Sequence, residues 1–106
     1  MLVATKMRYI PYFWYPYEMI IERIFDEDLA QCSWLIGCQA TKEALVIDPE
    51  RDVWRYIELA TKSRLRITAV AETHIHADFL SGTHELARKT GATAYLSNHG
   101  GEDWSY

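Results

Sequence analysis

Short apolar runs separated by polar turns dominate the chain after residue 18. Three runs of strand length come first: MIIERIF (19–25), CSWLIGC (32–38) and EALVIDP (43–49). The connections between them are short, and strands that follow one another closely in sequence usually pair with each other. The pattern therefore predicts an antiparallel meander of three strands.

A helical spacing of apolar residues replaces the strand pattern in residues 52–64. Asp52 is the expected N-cap, and Lys62 and Arg64 stand at the C-terminal end, where the helix dipole favours positive charge. Four apolar residues share one face of this predicted helix: Val53, Tyr56, Ile57 and Ala60. This face is expected to pack on the sheet.

Two more strands and one more helix complete the pattern. The stretch 67–74 is rich in β-branched and small residues and is typical of a buried strand. Residues 82–90 predict a helix ended by Gly91, and residues 92–97 predict a last strand. The order β-β-β-α-β-α-β indicates an α/β fold with parallel strands from residue 43 onward. Six side chains are expected mainly in the core or an interface: Trp54, Tyr56, Ile57, Val70, Leu86 and Tyr95.

Residues 1–18 differ from the rest, so we divide the chain into an aromatic extension (1–18) and one domain (19–106). Residues 9–17, YIPYFWYPY, hold six aromatic residues and two prolines, which forbid a continuous helix. Three interpretations are open: a start codon assigned too far upstream, which we favour, an aromatic strand or arm that packs on the domain, and a partner-binding patch.

Composition narrows the class of protein. The chain has 106 residues, 49% of them apolar and 25% charged, so it is expected to form one globular domain. Its net charge of −4 does not favour nucleic acid or an anionic membrane, and no run of about 20 apolar residues is present. Cys32 and Cys38 are expected to be buried, reduced thiols of a cytoplasmic protein, because an extended segment keeps them too far apart for a disulfide.

The sharpest chemical feature is the sequence His74-Ile75-His76-Ala77-Asp78, placed where a predicted buried strand ends. Alternate residues of an extended backbone point the same way, so His74 and His76 project side by side, about 6.5 to 7 Å apart. Two such imidazoles can bind one metal ion, and Asp78 adds a carboxylate that can ligate or position a bound water. His74 and His76 are therefore the predicted metal ligands, with Asp78 as a catalytic residue.

A plainer interpretation competes with the metal site. Both histidines could bond to loop carbonyls, with Asp78 acting as a turn or capping residue. The remaining histidines fit no ligand pattern. His84 is expected on the surface of the second helix or at its cap, and His99 is expected to be exposed to solvent.

The segment ETHIHADFLSG (72–82) resembles the signature loop of the metallo-β-lactamase superfamily, and the wider match is to its persulfide dioxygenases and their rhodanese-fused relatives. The resemblance implies the N-terminal half of an αββα sandwich, with the Asp48–Pro49 turn at the edge nearest the metal. Three further stretches support it: DLAQCSWL (28–35), ALVIDP (44–49) and TGA (90–92).

Two departures from the superfamily pattern bear on function. Phe79 stands where the motif HxHxDH has a histidine that serves a second metal, so the resemblance implies a mononuclear site. Ferrous iron is then the favoured cofactor and zinc the alternative. The family's further ligands come later in the fold than Tyr106, so we expect the natural protein to be longer and this chain alone to be inactive.

Three functions remain in competition. The resemblance implies an iron persulfide dioxygenase that oxidises glutathione persulfide, or a similar small persulfide, with dioxygen to sulfite. A glyoxalase II-like zinc hydrolase of thioesters is the second. The third is a truncated, non-catalytic module that binds a metal weakly or binds a partner. Expected partners are a small thiol or persulfide and either a second copy of the chain or the remainder of a longer one, such as a rhodanese domain.

Overall fold

The computed structural model describes residues 19–28, 30–73 and 81–96. The predicted extension 1–18, the candidate residues His74, His76 and Asp78, and His99 lie outside these ranges. Seven elements follow in the predicted order: β1 (Met19–Asp26), β2 (Gln31–Cys38), β3 (Glu43–Ile47), α1 (Trp54–Lys62), β4 (Arg66–Ala71), α2 (Thr83–Thr90) and β5 (Thr93–Tyr95).

The five strands form one sheet in the order β1-β2-β3-β4-β5. Strands β1, β2 and β3 form the predicted antiparallel meander, and β3, β4 and β5 are parallel. Parallel neighbours need a crossover connection, which α1 and α2 supply. Neither these helices nor any other helix in the described part of the chain is long and apolar enough to cross a membrane.

One face of the sheet forms the core together with both helices. The period-2 alternation of the strands directs a row of buried apolar residues to this face: Leu35, Val46 and Val70. Tyr56 and Ala60 of α1 and Leu86 of α2 join the same buried cluster. Since a fully buried side chain of this kind contributes about 1.5–3 kcal/mol, this face supplies most of the hydrophobic stabilisation.

The predicted core residues divide into two groups. Tyr56, Val70 and Leu86 are fully buried, and Ile57 packs against them from a partly buried position. Trp54 and Tyr95 are not core residues, because their side chains are 56% and 59% exposed, so for these two only the interface part of the prediction stays open. Trp54 begins α1 on the face away from the sheet, and Tyr95 ends a three-residue edge strand.

The predicted N-cap of α1 was also wrong. The helix begins at Trp54, one residue later than an Asp52 cap requires, and Val53 occupies the cap position without a side-chain cap bond. The Asp52 carboxylate instead lies 3.7 Å from the Arg55 guanidinium, one turn further along. The predicted helix end at Gly91 is confirmed, because this residue adopts the left-handed conformation that glycine favours.

Cys32 and Cys38 are free thiols, as predicted, but they are half-buried rather than buried. Alternation along β2 sends Ser33, Leu35 and Gly37 to the core face, so both cysteines lie on the opposite face. All residues of β2 pair with β1, which keeps the strand extended and the two thiols apart.

Candidate metal-binding site

The structure describes the two ends of the segment that carries the predicted metal ligands. Residues 74–80 follow β4 and lead into α2, so both ends lie beside the C-terminal edge of β3 and β4. This edge is where open α/β sheets place their ligand sites. His74, His76 and Asp78 are outside the described residues, so their role at a metal site stays a prediction. The contacts that the structure shows are those of the residues on either side of the segment 74–80.

Asp48 holds the beginning of the segment. One carboxylate oxygen, Oδ1, accepts a hydrogen bond from the backbone N–H of Thr73 at 2.8 Å, and Oδ2 accepts one from the Thr73 hydroxyl at 2.6 Å. Asp48 is only 6% exposed, which makes such charge-assisted bonds strong. The residue immediately before His74 is therefore fixed by both its backbone and its side chain.

The backbone of Asp48 is fixed as well. Its φ of 54° lies in the left-handed region, which Asp tolerates better than most residues. Its N–H donates to the carbonyl of Ala71 at 2.8 Å, and its own carbonyl accepts a bond from Gln31 Nε2 at 3.2 Å. These contacts bind the turn after β3 to both neighbouring strands.

A close backbone approach holds the end of the segment. The N–H of Gly82 donates to the carbonyl of Pro49 at 2.9 Å, and Glu50 and Ser81 form an antiparallel bridge. A Cβ atom on Gly82 would overlap the Glu50 carbonyl oxygen and would lie 2.8 Å from Val53 Cγ1. Only glycine allows the chain to pass this closely over the turn after β3.

A side-chain network joins the two ends directly. The buried hydroxyl of Thr83 donates to Glu72 Oε1 at 3.1 Å and accepts a bond from the Ser81 hydroxyl at 3.0 Å. Ser81 Oγ also accepts the N–H of Thr83 at 3.1 Å. Glu72 precedes the segment and Ser81 follows it, so the network links the residues on either side of the segment through Thr83.

The buried hydroxyl of Tyr56 contacts the turn after β3. The hydroxyl of Tyr56 accepts a hydrogen bond from the Glu50 N–H at 2.8 Å and lies 2.7 Å from Ser33 Oγ. Burial raises the pKa of Tyr56, so this phenol keeps its proton throughout the physiological range. The network ties α1 and β2 to the turn that carries Asp48.

Glu50 is the unusual charge of this region. It is 4% exposed, and its Oε1 atom has no hydrogen-bond partner among the described residues. Its Oε2 lies 3.2 Å from Arg55 Nη1, which is also 3.5 Å from Asp26 Oδ2. Burial raises the pKa of Glu50 to about 7, because Arg55 only partly offsets the desolvation and the nearby Asp26 carboxylate adds to the rise.

The described residues also bear on His84 and on other possible metal-binding groups. His84 is exposed on α2, as expected. Within the described ranges there is no group of three His, Cys, Asp or Glu side chains that could hold a metal ion. The metal-site prediction therefore depends on residues 74–78. Sequence reasoning placed the Asp48 turn near the site but missed the Glu72–Thr83 bond and the buried Glu50, for which the linear sequence carries no periodic signal.

Similar proteins show the family to which the chain belongs, although no protein-family model matches it. A curated relative, hydroxyacylglutathione hydrolase from Polaromonas sp. (strain JS666), is 37% identical over 75 residues, which are 70% of this chain and 28% of that protein.

Two solved structures agree with this relationship. A metallo-β-lactamase from Staphylococcus aureus subsp. aureus COL is 47% identical, with a TM-score of 0.76 over 80% of this chain and 25% of its own. ETHE1 from Myxococcus xanthus is 32% identical, with a TM-score of 0.74 over 80% and 38% of the two chains. The chain thus spans about a quarter to two-fifths of these relatives. The chain has the fold of the matching part of these relatives, and it belongs to the metallo-β-lactamase superfamily.

Proposed function

We propose that the chain forms the first part of the active site of a mononuclear iron persulfide dioxygenase. The observation that carries the proposal is the pair of hydrogen bonds that Thr73 donates to Asp48, which fixes the residue immediately before the sequence His74-Ile75-His76-Ala77-Asp78. In this proposal His74 and His76 bind the metal, and Asp78 ligates it or positions a bound water.

The donor set fits such a metal. Two imidazoles and one carboxylate are the ligands that non-haem ferrous iron enzymes present. Phe79 supports one metal rather than two, because it stands where superfamily members with two metals have a further histidine. Ferrous iron, when bound, supplies the redox chemistry by which dioxygen oxidises the substrate.

In this proposal the described residues position the metal ligands and take no part in the reaction itself. The bonds of Asp48 with Thr73 and of Thr83 with Glu72 hold the described residues on both sides of the segment 74–80. The substrate would be glutathione persulfide or a similar small persulfide. Its S–S bond breaks, its outer sulfur is oxidised to sulfite by dioxygen with an oxygen from water, and the thiol is released with the protons.

A zinc-dependent thioester hydrolase is the second candidate. The 37% identity to hydroxyacylglutathione hydrolase supports it, since that relative is named for hydrolysis of a glutathione thioester. Zinc would then activate a water molecule as the nucleophile. Phe79 counts against this function. The third candidate is a non-catalytic module that binds metal or a partner.

One experiment separates the three. The complete natural protein is loaded without oxygen with ferrous iron or with zinc, and oxygen uptake with glutathione persulfide is measured beside hydrolysis of a glutathione thioester. We expect iron-dependent oxygen uptake that His74→Ala and His76→Ala abolish and that Glu58→Gln, an exposed change on α1, leaves unchanged. Zinc-dependent thioester hydrolysis without oxygen uptake would establish the second candidate, and absence of both activities would leave the third.

A further inference from the structure

An open cleft lies between α2 and the start of α1. Its volume is about 440 Å³, within the range typical of small-ligand pockets. Val53 and Ser81 belong to its lining, and Ser81 is the first described residue after the segment 74–80. Neither the superfamily relationship nor the proposed function accounts for this cleft.

Trp54 forms one wall of the cleft and is 56% exposed. Its neighbours in α1, Tyr56 and Ala60, supply the contacts with the core, so the indole ring is not needed for packing. The ring is therefore accessible at the surface, and tryptophan is a common anchor residue of binding sites. The ring offers a flat surface on which a planar ligand can stack.

Positive charge surrounds this ring. Lys89 Nζ lies 4.8 Å from the centroid of the Trp54 ring, in cation–π contact. The acidic residue of the lining, Glu85, is shared between Arg88 at 3.1 Å and Lys89 at 3.4 Å. Arg51 also lines the cleft, is exposed, and makes no ion pair with any described residue. The lining thus carries two cations, Arg51 and Lys89, against one carboxylate, Glu85, in a chain whose net charge is −4.

We propose that this cleft binds a nucleoside monophosphate. A planar base would stack on Trp54, as bases do on aromatic side chains. The phosphate would bind Arg51, whose guanidinium suits a bidentate contact, and Lys89, already shared between Glu85 and the Trp54 ring, would add a point charge. The combination of one ring surface with two cations in a single cleft selects a ligand that carries both a base and a phosphate.

The test is calorimetric titration of the full chain with AMP, adenosine and inorganic phosphate. We expect AMP to bind with a dissociation constant in the millimolar range or tighter, and adenosine and phosphate each to bind about tenfold or more weakly. Trp54→Ala and Arg51→Gln should weaken AMP binding about tenfold, while Trp54→Phe keeps part of the affinity because a ring remains. Arg66→Gln, at the distant start of β4, is the matched charge control and should change nothing.

Three results would overturn the proposal. The first is absence of AMP binding, and the second is phosphate binding as tight as AMP binding, which would exclude a contribution from the ring. The third is equal weakening by Arg51→Gln and Arg66→Gln, which would indicate unspecific attraction. If circular dichroism shows that Trp54→Ala does not fold, Trp54→Phe and Arg51→Gln still decide the outcome.

Discussion

Asp48 and Thr73, 25 residues apart, are joined by two hydrogen bonds of 2.8 and 2.6 Å, so that one carboxylate binds both the backbone and the hydroxyl of a single residue. The parallel pairing of β3 with β4 brings them together, because both residues follow the C-terminal ends of these strands. This contact makes the turn after β3 a support for the predicted metal ligands.

Replacement of this carboxylate should weaken both stability and metal binding. Asp48→Ala leaves the Thr73 N–H and hydroxyl without their acceptor, and a loss of about 1–3 kcal/mol in the free energy of unfolding is expected. Metal affinity should fall about 10- to 100-fold, as it does when outer supports of metal ligands are removed. Urea unfolding and metal titration measure the two effects. Asp52→Asn, a change at an exposed carboxylate just before α1, should change neither by a comparable amount.

The buried Glu50 should make stability depend on pH. Its pKa rises from an ordinary value of 4.5 to about 7 on folding, so the folded state holds the proton more tightly than the unfolded chain does. This contribution is complete below pH 4.5 and is lost as the pH rises through about 7. The melting temperature should therefore fall across this interval in the parent protein and much less in Glu50→Gln. Glu58→Gln is the exposed control, and parallel curves for the parent and Glu50→Gln would contradict the assignment.

Two glycines offer a matched pair for the close approach over the turn. Gly82→Ala places a Cβ against the Glu50 carbonyl and the Val53 side chain, and overpacking of this kind costs about 1–3 kcal/mol. Gly91→Ala meets nothing within 4 Å and costs only the strain of a left-handed backbone, about 1 kcal/mol. Denaturant unfolding should find Gly82→Ala the more destabilised. The reverse order would show that the turn yields easily and does not hold the segment.

The two thiols should differ in reactivity. The backbone N–H of Thr41, followed by its hydroxyl and the backbone of Ala40, donates to the Cys38 sulfur and lowers the pKa of this thiol. Iodoacetamide should therefore alkylate Cys38 faster than Cys32 at neutral pH, as mass spectrometry of the Cys32→Ser and Cys38→Ser variants can measure. Thr41→Val should slow the Cys38 reaction, and equal rates in the two single-cysteine proteins would contradict the prediction.

Periodic features of the sequence predicted the fold well. The alternation in β1 to β3 and the helical spacing of Val53, Tyr56 and Ala60 each require a buried face, so the element order and most of the core followed from them. Trp54 and Tyr95 lie outside the core because each stands at the end of an element, which hydrophobicity alone does not reveal. Asp52 is not the cap because the helix begins at Trp54, which puts Val53 in the cap position, and the Asp52 carboxylate lies near Arg55 instead.

The sequence by itself determined the strands, the helices and the stretch His74-Ile75-His76-Ala77-Asp78, because these depend on residues that are neighbours along the chain. The tertiary structure alone decided that Asp48 binds Thr73, that Glu72 binds Thr83, and that Glu50 is buried beside Asp26 and Arg55. Asp48 and Thr73, and likewise Glu50 and Asp26, are more than twenty positions apart, so these residues meet only once the strands and helix α1 have packed on one another. Burial then strengthens the charge-assisted bond of Asp48 and raises the pKa of Glu50, since both effects arise from the exclusion of water.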